Sequence, residues 1–284
     1  MSKVRIANLI YEPRYYVMQR PSGIITITTD FGERDPYVAM MKGVILSTNP
    51  GARIVDITHQ VPAGSIRQGG SIIKESYPYF PSGTVHLAVI DPGVGGKRRP
   101  IVVLADNHFF VGPDNGLFWP IIRTGEHSEV IHLREKRYWM QSISTTFHGR
   151  DIFAPVASHL SKGLDPLLLG EKIDDPTTIP FPLPRKEKGD LVGEIIRVDH
   201  FGNLITNITK DHLMPFLQPK GVSIKVGGLV LSILSTAYGD VPVGQPLALI
   251  GSSHLLEIAI NMGNARNELG EKCKIGTKVI VRAS

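Results

Sequence analysis

The chain of 284 residues holds a single cysteine, Cys273. No intrachain disulfide can form, and a reducing compartment, the cytoplasm, is the expectation. Cys273 lies in Glu271-Lys272-Cys273-Lys274 with no nucleophile motif around it. No apolar run reaches the roughly 20 residues that cross a bilayer, so no membrane partner is expected. Residues 1–22 carry Lys3, Arg5, Arg14 and Arg20 against Glu12 alone. They lack the apolar stretch of a secretory signal and read as an N-terminal extension. The basic clusters Lys97-Arg98-Arg99 and Arg185-Lys186-Lys188 are not interleaved with aromatics. A formal charge of +5 therefore predicts no nucleic-acid partner. There is no internal repeat, no low-complexity tract and no His-Glu-x-x-His metal motif.

What is present suits a soluble globular protein: 42% hydrophobic and 20% charged residues, at a length for two domains or one large one. Ile24–Thr29 is a β-branched run that predicts the first core strand, ending at Asp30-Phe31-Gly32. Asp35-Pro36 predicts a helix N-cap with proline in the first turn, and the helix carries Val38, Met41, Val44 and Ile45. Asp30, at the strand tip, has no such capping duty and is a site candidate. Arg53–Ile57 predicts a second strand, and helical spacing covers 65–77. Thr84–Ile90 reads as a strand buried on both faces. It delivers Asp91 at its C-terminal end, where open α/β sheets bind ligands, and Pro92, three glycines and Arg98 follow. Ile101–Ala105 and Phe109–Val111 predict a hairpin, and Gly112-Pro113-Asp114-Asn115-Gly116 leads into a helix over 117–122. His148-Gly149-Arg150-Asp151 precedes another helix with Ile152, Phe153, Val156 and Leu160. This order predicts an α/β N-terminal domain over 23–173 with a mainly parallel sheet.

Residues 174–190 turn proline-rich and charged, the composition of a linker. Beyond it, short β-like pieces at 191–198, 222–226, 229–234, 246–250, 256–260 and 278–281 predict a C-terminal antiparallel β-barrel over 191–284. Two polar stretches exceed what strand ends require: Asp199-His200-Phe201-Gly202-Asn203-Leu204-Ile205-Thr206-Asn207, and Ile250-Gly251-Ser252-Ser253-His254 with Asn261-Met262-Gly263-Asn264-Ala265.

Taken in order, Thr29-Asp30-Phe31-Gly32 with Asp35, Asp91-Pro92-Gly93-Val94-Gly95 with Arg98, the 112–116 turn, His148–Asp151 and these two stretches form one pattern. It resembles the S-adenosylmethionine hydroxide adenosyltransferases, relatives of the fluorinase and chlorinase enzymes, over about residues 24–283. The resemblance implies an α/β domain and a β-barrel, assembled as a homotrimer with active sites at subunit interfaces. It implies a catalytic triad of Asp91, Arg98 and His148. Asp30 matches the carboxylate that holds the ribose hydroxyls. Asp35 and Asp199 match groups near the methionine moiety, and Ser252 and Ser253 the segment that binds its carboxylate. Phe201, Asn203 and the backbone around Met262 match the adenine pocket. Tyr37 and Ile205 stand where the halogenases carry other residues, and Gly64 about where they place a tryptophan. Halide-using relatives carry tyrosine at the position of Asp91 and serine at that of Gly149.

The implied reaction is hydrolysis of S-adenosyl-L-methionine to adenosine and methionine, with no metal or cofactor. Two alternatives stay open on the residues alone. Asp30, Asp35, Asp91 and His148 could ligate a metal in a hydrolase or phosphatase, or the pocket could serve a non-catalytic nucleoside-binding protein.

Overall fold

The computed structural model describes residues 20–125, 127–217 and 221–283. The extension expected over 1–22 lies outside the described residues as far as residue 19. Among the described residues the chain forms two sheets, and no helix is long and apolar enough to cross a membrane.

The first sheet has strands β1 (Ile24–Thr29), β2 (Arg53–Thr58), β3 (Val85–Val89), β4 (Pro100–Ala105), β5 (His108–Pro113), β6 (Glu129–Leu133) and β7 (Gly170–Ile173). Their order is β2-β1-β3-β5-β4-β6-β7. Contacts β2–β1, β1–β3 and β3–β5 are parallel, and β5–β4, β4–β6 and β6–β7 antiparallel. The sheet is therefore mixed, with its parallel half where the sequence motifs lie. The antiparallel half begins at the β4–β5 hairpin, whose turn residues Asp106 and Asn107 sit at φ 48° and 64°, the region that two-residue hairpin turns demand.

Helices cover both faces. Helices α1 (Tyr37–Thr48) and α4 (Ala154–Ser161) pack Met41, Ile45, Val156 and Leu160 against Ile25, Ile27 and Leu87. Helices α2 (Ile66–Ser76) and α3 (Trp119–Ile122) pack Ile73 and Ile121 against Ile90, Val103 and Phe110. Burial from two sides explains why all of β3 is buried. Each such side chain contributes roughly 1.5–3 kcal/mol relative to exposure.

One capping expectation is corrected. The helix α1 starts at Tyr37 with Pro36 as its N-cap and no side-chain cap bond. Pro36 has ψ 7°, so Asp35 stands a residue too early to reach the free amides, and its side chain is exposed.

The second sheet comprises β8 (Arg185–Glu187), β9 (Asp190–Val198), β10 (Leu204–Thr209), β11 (Val222–Val226), β12 (Leu229–Leu231), β13 (Leu234–Ser235), β14 (Pro246–Ile250), β15 (Leu255–Ile260) and β16 (Lys278–Ala283). It is barrel-like, in the order β12-β11-β16-β9-β10-β15-β14-β13, with β8 added on β9. The pair β13–β14 is parallel. Ile195, Leu204, Ile208, Ile224, Ile258 and Val281 fill its core. Two short helices, α5 (Lys210–Leu213) and α6 (Ala265–Leu269), follow β10 and β15. The strand β10 was not foreseen as one: its residues read as part of a polar site stretch, yet Leu204, Thr206 and Ile208 all face the core. The run 229–234 divides into β12 and β13, which join different neighbours. The sheets meet where Arg197 of β9 pairs with Glu75 of α2 at 2.5 Å and Asn207 donates to the Pro182 carbonyl at 2.8 Å.

Candidate functional site

Because β5 lies between β3 and β4, the segment 90–99 must bridge over the end of β5. This places Asp91 at the C-terminal ends of the parallel strands. Three local features hold it there. The Asn115 amide donates to the Ile90 carbonyl at 2.9 Å. Backbone turns Val94 N–H to Asp91 O and Gly96 N–H to Gly93 O fold the segment back on itself. Gly95 takes φ 75° and passes so close to Thr145 that a Cβ would sit 2.3 Å from its carbonyl oxygen, which only glycine permits.

The fold-back aims Arg98 at Asp91. Arg98 Nε reaches both carboxylate oxygens at 3.1 and 2.9 Å, and Nη2 reaches Oδ2 at 2.5 Å. The same Nη2 lies 2.7 Å from His148 Nδ1. The Phe153 ring lies under the guanidinium at 5.2 Å. Asp91 and Arg98 side chains are 2% and 9% exposed, so this is a charge pair largely removed from water. Arginine has no acceptor, so His148 Nδ1 must accept, and a neutral ring then carries its proton on Nε2. Burial, and then the Arg98 charge, hold the His148 imidazole below its usual value, with Asp91 and Asp151 pulling the other way. The three residues thus form one hydrogen-bonded set of carboxylate, guanidinium and neutral imidazole.

His148 is positioned by a single π-helical turn, Gly149–Phe153, that runs into α4. Such turns recur at functional sites because they displace one residue from the helical ladder. Asp151 is fully buried and accepts from Ser144 N–H at 2.7 Å and from the Arg150 fork at 2.6 and 3.1 Å. It ties the preceding loop to the turn rather than serving only the helix dipole. Gly149 faces Met41, Phe147 and Phe31, with Met41 Sδ 3.2 Å from where a Cβ would stand. Phe31, Tyr37 and Phe147 make mutual edge-to-face contacts at 5.4–6.0 Å beside it.

Asp30 has a structural partner after all: its Oδ2 accepts from Gly64 N–H at 2.7 Å. Gly64 has φ 70°, and a Cβ there would stand 3.7 Å from Pro92, so the residue that holds the Asp30 tip lies beside the Asp91 loop. Asp35 lies exposed at the entry to α1 with no hydrogen bond to the triad.

The second-domain candidates gather separately. Asp199 accepts from Asn203 backbone N–H at 2.8 Å and from its amide at 2.9 Å, closing a tight turn. That turn packs on the 261–266 segment, where Arg266 N–H donates to the Gly202 carbonyl at 2.9 Å. Phe201 is 72% and Met262 86% exposed, the latter at φ 55°. Asp199, Ser252 and Ser253 line a groove of about 870 Å³ that Thr58, Gln60 and Pro62 close from the first domain. Among the described residues no hydrogen bond or ion pair joins the triad to these second-domain residues, and no group of three or more His, Cys, Asp or Glu side chains could hold a metal ion.

Glu257 was missed. It is buried on β15, accepts from the Tyr238 hydroxyl at 2.9 Å, and fills the space beside Gly251, where a Cβ would collide with its carboxylate. Burial pushes its carboxyl up, Tyr238 offsets this in part, and the Asp199 charge pushes it up further. It shapes the turn that presents Ser252 and Ser253. The only signal in the sequence was an acid inside Leu255-Leu256-Glu257-Ile258.

Comparison with known proteins adds the following. Residues 25–170 match the family model of the SAM hydroxide adenosyltransferase N-terminal domain, and residues 193–279 that of its C-terminal domain. The "(R)-S-adenosyl-L-methionine hydrolase" of Thermus thermophilus is 40% identical over 252 residues, 86% of this chain and 94% of that protein. A fluorinase of Actinopolyspora mzabensis is 25% identical, over 84% of this chain and 90% of its own length. The crystal structure of an uncharacterised conserved protein from Thermotoga maritima superposes with TM-score 0.85 at 35% identity, covering 91% of this chain and 99% of that one.

Proposed function

The chain belongs to the SAM hydroxide adenosyltransferase family, and on that premise we propose that it hydrolyses S-adenosyl-L-methionine to adenosine and L-methionine. The observation that carries the reading is the joined Asp91–Arg98–His148 set at the strand ends. The alternatives, a metal-dependent hydrolase and a nucleoside-binding protein, are not favoured, since a relative 40% identical over 86% of this chain is named as a hydrolase of this sulfonium.

The substrate sulfonium is already a good leaving group, so no acid is needed at sulfur. The difficult partner is water, whose pKa of roughly 15.7 leaves little hydroxide at neutral pH. His148 Nδ1 is engaged by Arg98, so its Nε2–H is a donor that orients the water oxygen. The base is then Asp91. Its Oδ1 takes only one long bond from Arg98 and keeps lone-pair capacity for a proton. As water attacks C5′, the C5′–S bond breaks with its electron pair on sulfur, leaving neutral methionine thioether. The water proton passes to Asp91 and then to solvent. Arg98 stabilises the developing hydroxide charge, and in-line placement supplies much of the remaining rate.

In this reading Asp30 holds the ribose diol, Asp35 and Asp199 sit near the methionine ammonium, Ser252 and Ser253 bind its carboxylate, and Phe201, Asn203 and Met262 border adenine. The exposure of Phe201 and Met262 supports covering by another subunit, in a homotrimer whose pockets pair the triad of one chain with Asp199 and Asn203 of its neighbour. Light scattering alongside assay tests this: active monomer contradicts it. We further read 23–173 as the α/β domain, 174–190 as the linker, 191–284 as an antiparallel barrel, and the cytoplasm as the location.

The test of the whole is direct. The purified chain, incubated with S-adenosyl-L-methionine in ¹⁸O-water with chloride, fluoride and a chelator present, should yield adenosine labelled at its 5′ oxygen. Gly149 offers a halide no hydroxyl, and ionised Asp91 repels an anion. A 5′-halo-5′-deoxyadenosine as main product, or activity that only a divalent ion restores, refutes the assignment.

A further inference from the structure

Between α2, α3, the segment 181–183 and the second-domain turn at 253–255 lies a cavity of about 610 Å³. The triad is no part of its lining. Its size is that of sites for small organic ligands, roughly 300–1,000 Å³. Pro120, Phe181, Leu183, Ile196 and Leu255 give it apolar walls. Set into those walls are two cations from neighbouring helices, Lys74 and Arg123.

The charges there are unbalanced. Among the described residues neither Lys74 nor Arg123 takes part in an ion pair, and the Arg123 charge repels the Lys74 ammonium. Glu75, which also lines the cavity, is paired with Arg197 at 2.5 Å, and Asp106, which accepts from the Tyr77 hydroxyl at 2.7 Å, forms an ion pair with neither cation. Burial, and then Arg123, depress the Lys74 ammonium, and Asp106 offsets this only in part. Two cations brought together at a half-buried wall cost free energy that an anion between them would relieve. His212 also lines the cavity, and its Nδ1 accepts from Thr209 backbone N–H at 3.2 Å, which leaves Nε2 as its other hydrogen-bonding atom.

We propose that this cavity is a second binding site, for a small amphiphilic anion whose apolar body lies on Phe181, Leu183 and Ile196 and whose carboxylate or phosphate sits between Lys74 and Arg123. The site spans both domains, so an occupant stabilises the folded chain as a whole. Ser253, read above as binding the methionine carboxylate, lines both this cavity and the groove of the proposed substrate, so the two sites adjoin, but the recognition by Lys74 and Arg123 does not depend on the hydrolase reading.

Calorimetry and thermal melting of the full chain test it with four probes: decanoate, decyl phosphate, decanol and inorganic phosphate. At least one of the two charged amphiphiles should bind with a stoichiometry near one per chain and raise the melting temperature; which one does so separates a carboxylate ligand from a phosphate ligand. Decanol and inorganic phosphate should bind at least about tenfold more weakly, since each lacks half of the recognition. The double variant Lys74→Met, Arg123→Gln should weaken the charged amphiphile about tenfold or more and leave decanol unchanged. Saturating adenosine should leave the binding unaltered. Equal affinity in wild type and double variant, competition by adenosine, or no saturable binding at millimolar probe overturns the proposal.

Discussion

Acid should destabilise this protein well before its carboxylates titrate, and His86 sets the size of the effect. The ring is 3% exposed, with Nδ1 2.8 Å from Thr26 Oγ1 and Nε2 3.1 Å from His108 Nδ1. It stacks on Phe110 at 4.9 Å, with Tyr77 and Phe80 edge-on. Burial first, and then His108, push its pKa from 6.5 down to about 3. Between those values the unfolded chain binds a proton that the folded chain refuses. Stability therefore rises with pH across that window, is complete above 6.5 and falls as acid is added. From pH 6.5 to pH 5 the loss through His86 alone is about 1.6 kcal/mol, less than the full one-proton slope because the unfolded ring is only half protonated at pH 6.5. His108, His132, His148 and His159 are also depressed, burial being the main cause in each, and add loss of the same sign. Urea unfolding at pH 7.5, 6.5 and 5.0, at fixed ionic strength and protein concentration, measures the drop. His86→Gln cannot titrate and should flatten the slope by up to about 1.4 kcal/mol per pH unit. A wild-type stability that is constant from pH 6.5 to 5, or an undiminished slope in His86→Gln, refutes the reasoning.

Asp91→Asn and Arg98→Ala should each lower turnover by roughly two orders of magnitude or more, the scale of losing one transition-state electrostatic group; full activity in Asp91→Asn removes the triad from the account. Asp30→Ala should act mainly on substrate and adenosine affinity, because a diol contact exists already in the ground state, and a pure kcat effect in steady-state kinetics argues against that role. The acid limb of the kcat/KM profile should lie below pH 6.5, since His148 is held neutral and its protonation at Nδ1 would oppose Arg98. An acid limb centred above 6.5 would contradict the tautomer assignment.

Much of this architecture was legible because its signals are local. A strand buried on both faces shows as a mostly apolar run, as over β3, where His86 alone interrupts it, and the β4–β5 hairpin shows as two apolar runs separated by a short polar gap. What resisted reading depends on contacts distant in sequence. The insertion of β5 between β3 and β4 is announced by no residue in either strand, and β6 and β7, which extend the antiparallel half beyond the hairpin, were not foreseen as strands. The strand β10 carries Thr206 and Asn207 because their polar groups serve backbone and linker partners, so its pattern lacks simple alternation. The fork of Arg98 onto His148 spans 50 residues. Motif order suggested that both belong to one site, but not that Nδ1 is the atom engaged.

Asp30 shows why a residue should not be sorted into structure or function by elimination. Lack of a capping duty made it a site candidate, yet it does have a structural bond, to Gly64 N–H. That bond occupies Oδ2 and orients the carboxylate, while Gly64 in turn lies beside Pro92, next to Asp91. A carboxylate offers about four lone-pair directions, so one backbone bond leaves Oδ1 free to meet a diol. The contact that fixes the side chain also pre-sets the direction of its free oxygen, and pre-set geometry is what the diol contact proposed for it requires.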